Sequence, residues 1–242
     1  MSARLSAGPI RSLGVRWRPD PVIRSAWPIV VCTAALPIMF LIGLHGLIWA
    51  VPGVVLSLRL LRRPATRIPG SALLLLVALA WMAASVLRID AGGLPLFAYR
   101  WILFLGAFAA EVWLMNTAEA RVPTDRVVGW LASLWVAMVG LGLAAIFVSL
   151  DMPSPLLRIL PHAITNIDFF ESISAWRLAE VQGFLGFPLP RPAAPFPAAN
   201  GWGSAMGLLA PFFISSWIVD ARGVRRQLGF LVAAVAVIPI IY

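Results

Sequence analysis

The sequence has no lysine, a single cysteine and few charged residues of either sign. All 19 basic residues are arginine, only 12% of the 242 residues are charged, and the one cysteine is Cys32. Soluble domains carry roughly twice that share of charged residues. A lone cysteine excludes a disulfide framework and a cysteine-based metal site. The composition therefore predicts an integral membrane protein rather than a soluble domain.

The excess of positive charge allows two interpretations. A net charge of +9 is compatible with a nucleic-acid partner, but the arginines flank long apolar runs, as the positive-inside rule describes for membrane proteins. With the N-terminus in the cytoplasm, 14 of the 19 arginines fall in cytoplasmic segments. We therefore expect the lipid bilayer, and no nucleic acid, as the partner of this charge, and an extracytoplasmic position for the segment 151–199.

The apolar runs predict an all-α, polytopic bundle of transmembrane helices. A basic cytoplasmic arm (1–25) precedes five spans within 26–150, a long outer loop covers 151–199, and 200–242 holds a sixth span and part of a seventh. The predicted spans are 26–41, 44–60, 71–87, 97–116, 127–150, 201–219 and 228–242. The last run is shorter than the ~20 residues that a span needs. We therefore expect six complete spans, a seventh that is cut off at the C-terminus, and a longer parent protein.

The outer loop is too apolar to be predicted as disordered. Residues 168–182 have the mixture of apolar and polar side chains of an amphipathic helix, and Arg177 and Glu180, three residues apart, can pair on it. Such a helix lies in the membrane interface. The loop is therefore predicted to cover the outer end of the bundle, and it also contains His162, whose imidazole could serve as a general base near neutral pH.

The end of the outer loop is rich in proline. Three prolines follow Arg191 within six residues, so 191–197 is predicted to be a stiff, extended arm. Asn200 is a good N-cap for the helix that follows. An arginine close to the positive end of a helix dipole suits an anion such as a phosphate.

This segment carries a resemblance to a known family. The run Arg-Pro-Ala-Ala-Pro-Phe-Pro-Ala-Ala-Asn-Gly-Trp-Gly at 191–203, followed by an apolar span, resembles the O-antigen ligase and polysaccharide polymerase family of bacterial membrane proteins. The likeness extends over roughly 100–217. It implies a metal-independent glycosyltransferase of the bacterial inner membrane, without a cofactor, that moves a glycan from an undecaprenyl-diphosphate carrier to an acceptor sugar or lipid. It also implies a second large outer loop, with a catalytic histidine, beyond the point where this sequence stops.

The resemblance and the charges together nominate site residues for the lipid diphosphate. They are Arg191, Arg177, Arg100 and Asn200, with His162 as a weak catalytic candidate. Each also has a plain structural interpretation: interfacial arginines anchor helices to lipid phosphates, and Asn200 caps a helix. A transporter or flippase of lipid-linked or polar solutes, or a non-catalytic membrane subunit, stays open as an alternative. A transporter is expected to place polar groups at broken helices in mid-membrane, where these spans are almost wholly apolar.

Overall fold

The computed structural model describes residues 20–46, 48–63, 65–148, 150–153, 175–182 and 189–241. The described part is mainly helical, and its helices are α1 Pro21–Cys32, α2 Leu36–Leu41, α3 Ala50–Leu61, α4 Gly70–Ser85, α5 Leu94–Met115, α6 Thr124–Phe147, α7 Ala199–Phe213 and α8 Val224–Ile241. Short 3-10 turns at Val86–Arg88 and Ala91–Gly93 link α4 to α5, and a π-helical turn, Ile214–Val219, extends α7. Four short strands follow α6: β1 Asp151–Pro153, β2 Ala175–Arg177, β3 Ala179–Gln182 and β4 Leu189–Pro192.

Five helical segments are long and apolar enough to cross a bilayer: Gly70–Arg88, Ala91–Met115, Thr124–Phe147, Ala199–Val219 and Val224–Ile241. Large apolar side chains project outward from them. On α4, for example, Leu74 and Trp81 are each 78% exposed. Such a surface is stable in lipid and not in water. The chain is therefore a multi-pass membrane protein.

The first two predicted spans form shorter helices than the sequence suggested. The run 26–41 divides into α1 and α2, and α3 begins only at Ala50. Pro37 explains the division, because in a continuous helix its ring would collide with the carbonyl of Thr33. The Thr33 hydroxyl donates to the Ile29 carbonyl at 2.7 Å and helps α1 to end there. Two helices of 12 residues each, α1 and α3, are too short to span a bilayer alone.

The seventh predicted span is longer than expected. Helix α8 begins at Val224 rather than near Leu228, directly after Gly223, whose φ of 57° ends the preceding turn. The added turn contains Arg225 and Arg226, which the apolar pattern had left in a loop. With it, the helix reaches 18 residues and meets the length and hydropathy of a membrane span.

The outer loop contains short strands, two of them where a helix was predicted, while the described fold is otherwise mainly helical. The described part of the predicted helix forms β2 and β3, while 168–174 and His162 lie outside the described residues. Strand β1 pairs antiparallel with β2, and β3 pairs antiparallel with β4. The partner strands supply main-chain hydrogen bonds from distant parts of the sequence, and a local helical pattern cannot register them. The predicted extended arm is extended as far as Pro192 and then turns.

The helices pack as two groups. In the first, α3 and α4 pack on α5, and α1 packs on α3; in the second, α7 and α8 pack on α6. Consecutive helices α5 and α6 thus have different neighbours. The groups meet at one end around Val122 and Trp113, and at the other where α2 contacts α6. A space remains between them over the middle of the bundle.

Helix α6 follows a proline, which offers no side-chain cap, and Glu119 takes that role. Its carboxylate accepts the Thr124 backbone N–H at 2.5 Å and the Thr124 hydroxyl at 2.8 Å. These two hydrogen bonds lower the pKa of Glu119 from its ordinary value of 4.5. A carboxylate at a helix N-terminus also interacts favourably with the helix dipole.

The lowered pKa of Glu119 predicts a pH-dependent contribution to stability. A depressed carboxyl pKa stabilises the fold above the ordinary pKa, and this stabilisation is lost as the pH falls through the folded-state value. We expect Glu119→Ala to lower the apparent Tm of the detergent-solubilised protein at pH 7, and the difference from wild type to close below pH 4.5. A difference that persists at lower pH would show that the side chain acts by packing instead.

Candidate functional site

A cavity of about 680 Å³ occupies the space between the two helix groups. Its walls come from α1, α3 and α5, from the first turns of α6, and from the turn that precedes α7. The lining residues of α5 run from Leu96 to Leu114, which at 1.5 Å per residue is about 27 Å. The cavity thus follows most of the ~30 Å thickness of a hydrocarbon core. Its volume falls in the range of small-molecule sites.

The wall formed by α3 and α5 depends on two glycines that face each other. A Cβ atom added to Gly53 would lie 2.7 Å from the Cα of Gly106, and one added to Gly106 would lie 3.0 Å from the Cα of Gly53. Small residues let two membrane helices approach to backbone contact, where van der Waals packing is strongest. The contact holds α3 against α5 and leaves the rest of the α5 face to the cavity.

Arg100 is the one arginine among the described residues that line this cavity. It lies in the second turn of α5 and is exposed, and it makes no hydrogen bond or ion pair with a described residue. The lining is otherwise nearly all apolar or aromatic. A guanidinium at one end of a long apolar cavity is arranged to bind an amphiphile with an anionic head, because the charge and the apolar wall match its two parts.

Aromatic side chains surround the arginine end of the cavity. Trp49 and Phe196 stack with ring centroids 6.4 Å apart and an interplanar angle of 17°. The hydroxyl of Tyr99 donates to the Gly46 carbonyl and fixes the turn before α3 against α5. His45 is buried there, 5.1 Å from the ring of Phe40. His45 is also a lining residue of the cavity.

The proline-rich segment contributes to the cavity by a different residue from the one predicted. Phe196 and Pro197 line it, whereas Arg191 lies outside it on β4, opposite Glu180 in the strand register. The backbone N–H groups of Ala193 and Ala194 both donate to the Leu178 carbonyl, at 2.9 and 3.2 Å. The segment between Arg191 and Phe196 is thereby fastened to the β3–β4 hairpin.

The cap of helix α7 is also not the predicted one. The N-cap residue is Ala198, and Asn200 lies exposed within the first turn. The Glu180 carboxylate accepts the Ala199 backbone N–H at 2.9 Å. The protein's own carboxylate therefore occupies part of the helix terminus where an external phosphate was expected. The prediction paired Glu180 with Arg177 through helical spacing, which the strands remove.

The remaining predicted site residues are not brought to the cavity. Arg177 faces Asp151 across the β1–β2 register, and its Nε atom is buried without a hydrogen bond to a described residue. Arg177, Arg191 and Asn200 are absent from the cavity lining, so only Arg100 of the four predicted ligands contributes to it. The other residues that line the cavity could hardly have been predicted from the sequence. They are single glycines and aromatic residues on separate helices, and these form no local motif.

In the part of the chain that is described, no three His, Cys, Asp or Glu side chains cluster as they would around a metal ion. A cation, an apolar channel and an aromatic rim can hold, orient and partly desolvate an anionic lipid. Comparison of the chain with protein-family models, with curated proteins and with solved structures finds no match.

Proposed function

We propose that this protein binds an undecaprenyl-diphosphate-linked glycan and transfers the glycan to an acceptor sugar or lipid, in the manner of a membrane ligase or polymerase of cell-surface polysaccharide. The observation that supports the proposal is Arg100, an exposed cation without a described carboxylate partner, at one end of an apolar cavity. The lipid's chain would lie along α5 and its diphosphate at Arg100. The proline-rich segment, which carries the family resemblance, supplies Phe196 and Pro197 to the same end.

The reaction makes a specific demand on Arg100. An acceptor hydroxyl oxygen forms a bond to the anomeric carbon while the bond from that carbon to the diphosphate oxygen breaks. The bonding pair leaves with the diphosphate, and the hydroxyl proton passes to a base, for which the sequence nominates His162, outside the described residues. Charge grows on the diphosphate as the bond breaks. A guanidinium in a partly dry site stabilises this charge more in the transition state than in the ground state.

The test compares Arg100 variants with a matched arginine elsewhere. In a strain that lacks this gene, Arg100→Ala is expected to lower surface glycan by about 100-fold, as loss of a transition-state donor does, and to accumulate the lipid-linked precursor. Arg100→Lys keeps the positive charge but loses the bidentate hydrogen bonding of the guanidinium, so its surface glycan should lie between the wild-type and Arg100→Ala levels. The control is Arg88→Ala, because Arg88 is exposed just before α5 and does not line the cavity. Normal glycan in Arg100→Ala, at wild-type protein level, would overturn the proposal.

Arg191 is tested in the same strain. Its Ala and Lys variants address the sequence prediction that it binds the diphosphate. If both lose mature glycan and accumulate precursor, the substrate reaches beyond the cavity to β4. If both retain glycan while Arg100→Ala does not, Arg191 belongs to the hairpin and Arg100 is the diphosphate ligand.

One observation favours a transporter or flippase as the second candidate. The break between α1 and α2 lies beside the cavity, where Cys32 and Thr33 line it, and discontinuous helices are typical of transport sites. Proteoliposomes with a lipid-linked glycan and its acceptor on one side distinguish the two functions. A transferase forms the covalent product there, whereas a transporter moves its solute across the bilayer unchanged.

A further inference from the structure

The cavity has an open side at the middle of the bundle. Ala107 lines it from α5 and is exposed, near the centre of a helix of 22 residues. Leu131 lines the facing wall on α6. Helix α5 packs mainly on α3 and α4, whereas α6 packs mainly on α7 and α8. We call the line along which α5 and α6 meet, beside Ala107 and Leu131, the seam.

The segment that lines the cavity near the exposed Arg100 is firmly anchored. Phe196 and Pro197 line the cavity, and Phe196 stacks on Trp49. The preceding residues, Pro192–Pro195, are buried. The segment is held on both sides, by the Leu178 carbonyl before Phe196 and by the bond from Ala199 to Glu180 after it.

The dimensions also require an open side. A cavity of about 680 Å³ suits a drug-sized molecule, and a whole undecaprenyl chain is larger than that. The part of the chain beyond the cavity must continue into an apolar medium, because exposing it to water would cost about 0.8 kcal/mol for each methylene. The seam at Ala107 lies at the level of the hydrocarbon core, which is such a medium.

We infer that the cavity takes up its ligand sideways from the bilayer, through the seam between α5 and α6 at Ala107. The ligand is a membrane-dissolved amphiphile with a phosphate or diphosphate head, which comes to rest at Arg100 while its chain leaves through the seam. This rests on the proposed lipid-diphosphate site and not on glycan transfer. A water-soluble diphosphate has no chain to occupy the apolar wall and is excluded as the main ligand.

A native cysteine allows occupancy of the cavity to be measured by chemical labelling. Cys32 is the one cysteine of the chain, lines the cavity and is half-buried. A lipid chain in the cavity covers its thiol. The rate at which a membrane-permeant maleimide labels Cys32 in proteoliposomes therefore measures occupancy, with Cys32→Ser as the blank.

The experiment compares a lipid source with an aqueous source of the same head group. Undecaprenyl phosphate in the bilayer, at about ten times its Kd, should slow labelling of wild-type protein by about tenfold. Inorganic pyrophosphate in the buffer should leave the rate unchanged. Ala107→Trp fills the seam and should abolish protection by the lipid. The control is Ala98→Trp, since Ala98 is also exposed on α5 but does not line the cavity, and it should keep protection.

The outcomes separate this inference from the proposed function. Equal protection by pyrophosphate and by lipid, or full protection in Ala107→Trp, would overturn lateral uptake. No protection by lipid in wild type would overturn it as well. Leu131→Trp narrows the seam from the α6 side and replaces Ala107→Trp if that variant does not fold, as judged by size-exclusion chromatography. Seam-dependent protection in a protein that forms no glycosidic product would instead reject the transferase and leave lateral uptake standing.

Discussion

Trp135→Ala is expected to destabilise the second helix group by about 3 kcal/mol, which lowers the apparent Tm by about 10 °C. Trp135 on α6 is 5% exposed and stacks on Phe213 of α7, with centroids 4.1 Å apart. Its indole Nε1 donates to the Met206 carbonyl at 3.0 Å. A second hydrogen bond joins the same two helices in the opposite direction: the Nε1 of Trp202 on α7 donates to the Met138 carbonyl of α6 at 3.3 Å.

We expect Trp135→Ala to destabilise the protein through lost packing, and not through a loss of apolar surface buried from water. Lipid is as apolar as a protein core, so membrane helices associate through van der Waals contact and interhelical hydrogen bonds. Removing the Trp135 ring leaves a cavity against Phe213, and this places the expected loss at the lower end of the range for large-to-alanine changes.

The measurement for Trp135 is the apparent Tm of purified protein in detergent, followed by fluorescence of the remaining tryptophans or by aggregation. The control is Trp81→Ala, since Trp81 is 78% exposed on α4 and makes little contact with the protein. We expect it to change the Tm by only about 1 °C. If both variants shifted the Tm equally, the α6–α7 contact would not be a main source of stability.

Gly106→Leu is expected to have the second large effect, a loss of about 3 kcal/mol or more, because the new side chain meets backbone and not a flexible group. Even a single Cβ at this position lies 3.0 Å from the Cα of Gly53. Helix α3 would have to move away from α5, and since both line the cavity, its shape would change too. Gly106→Ala should show a smaller loss in the same direction.

Two readouts test this prediction. The apparent Tm of Gly106→Leu should fall well below that of wild type, and lipid protection of Cys32 should be lost even where folded protein is recovered. The matched control is Gly140→Leu, because Gly140 on α6 is exposed and an added Cβ meets nothing within 4 Å. Retained stability and protection in Gly106→Leu would mean that α3 and α5 are not held by this contact.

Several elements could be predicted from the sequence because their determinants are local. The apolar runs at 71–87, 97–116, 127–150 and 201–219 are helices in the structure, with ends shifted by a few residues. Length and hydropathy suffice for this, since an apolar segment inside a bilayer satisfies its polar backbone N–H and C=O groups mainly by forming a helix. The position of Arg100 near the start of a span was also correct.

Other elements could not be predicted because their partners are distant in the sequence. The segment 175–182 has the polarity pattern of a helix, but pairing with 151–153 and 189–192 makes it two strands. Asn200 has the chemistry of an N-cap, yet Glu180 reaches the helix start from β3. In each case a tertiary contact supplies a hydrogen bond that competes with the local preference.

The sequence by itself determined that the chain lies in a membrane, roughly where its long helices run, and that an arginine stands near one end of α5. These follow from apolar content and charge placement, which act residue by residue. Only the tertiary structure decided that α5 and α6 pack on different neighbours, and that Phe196 rather than Arg191 reaches the resulting cavity. A cavity is the space between packed surfaces, so it forms only when helices from distant parts of the chain pack against one another.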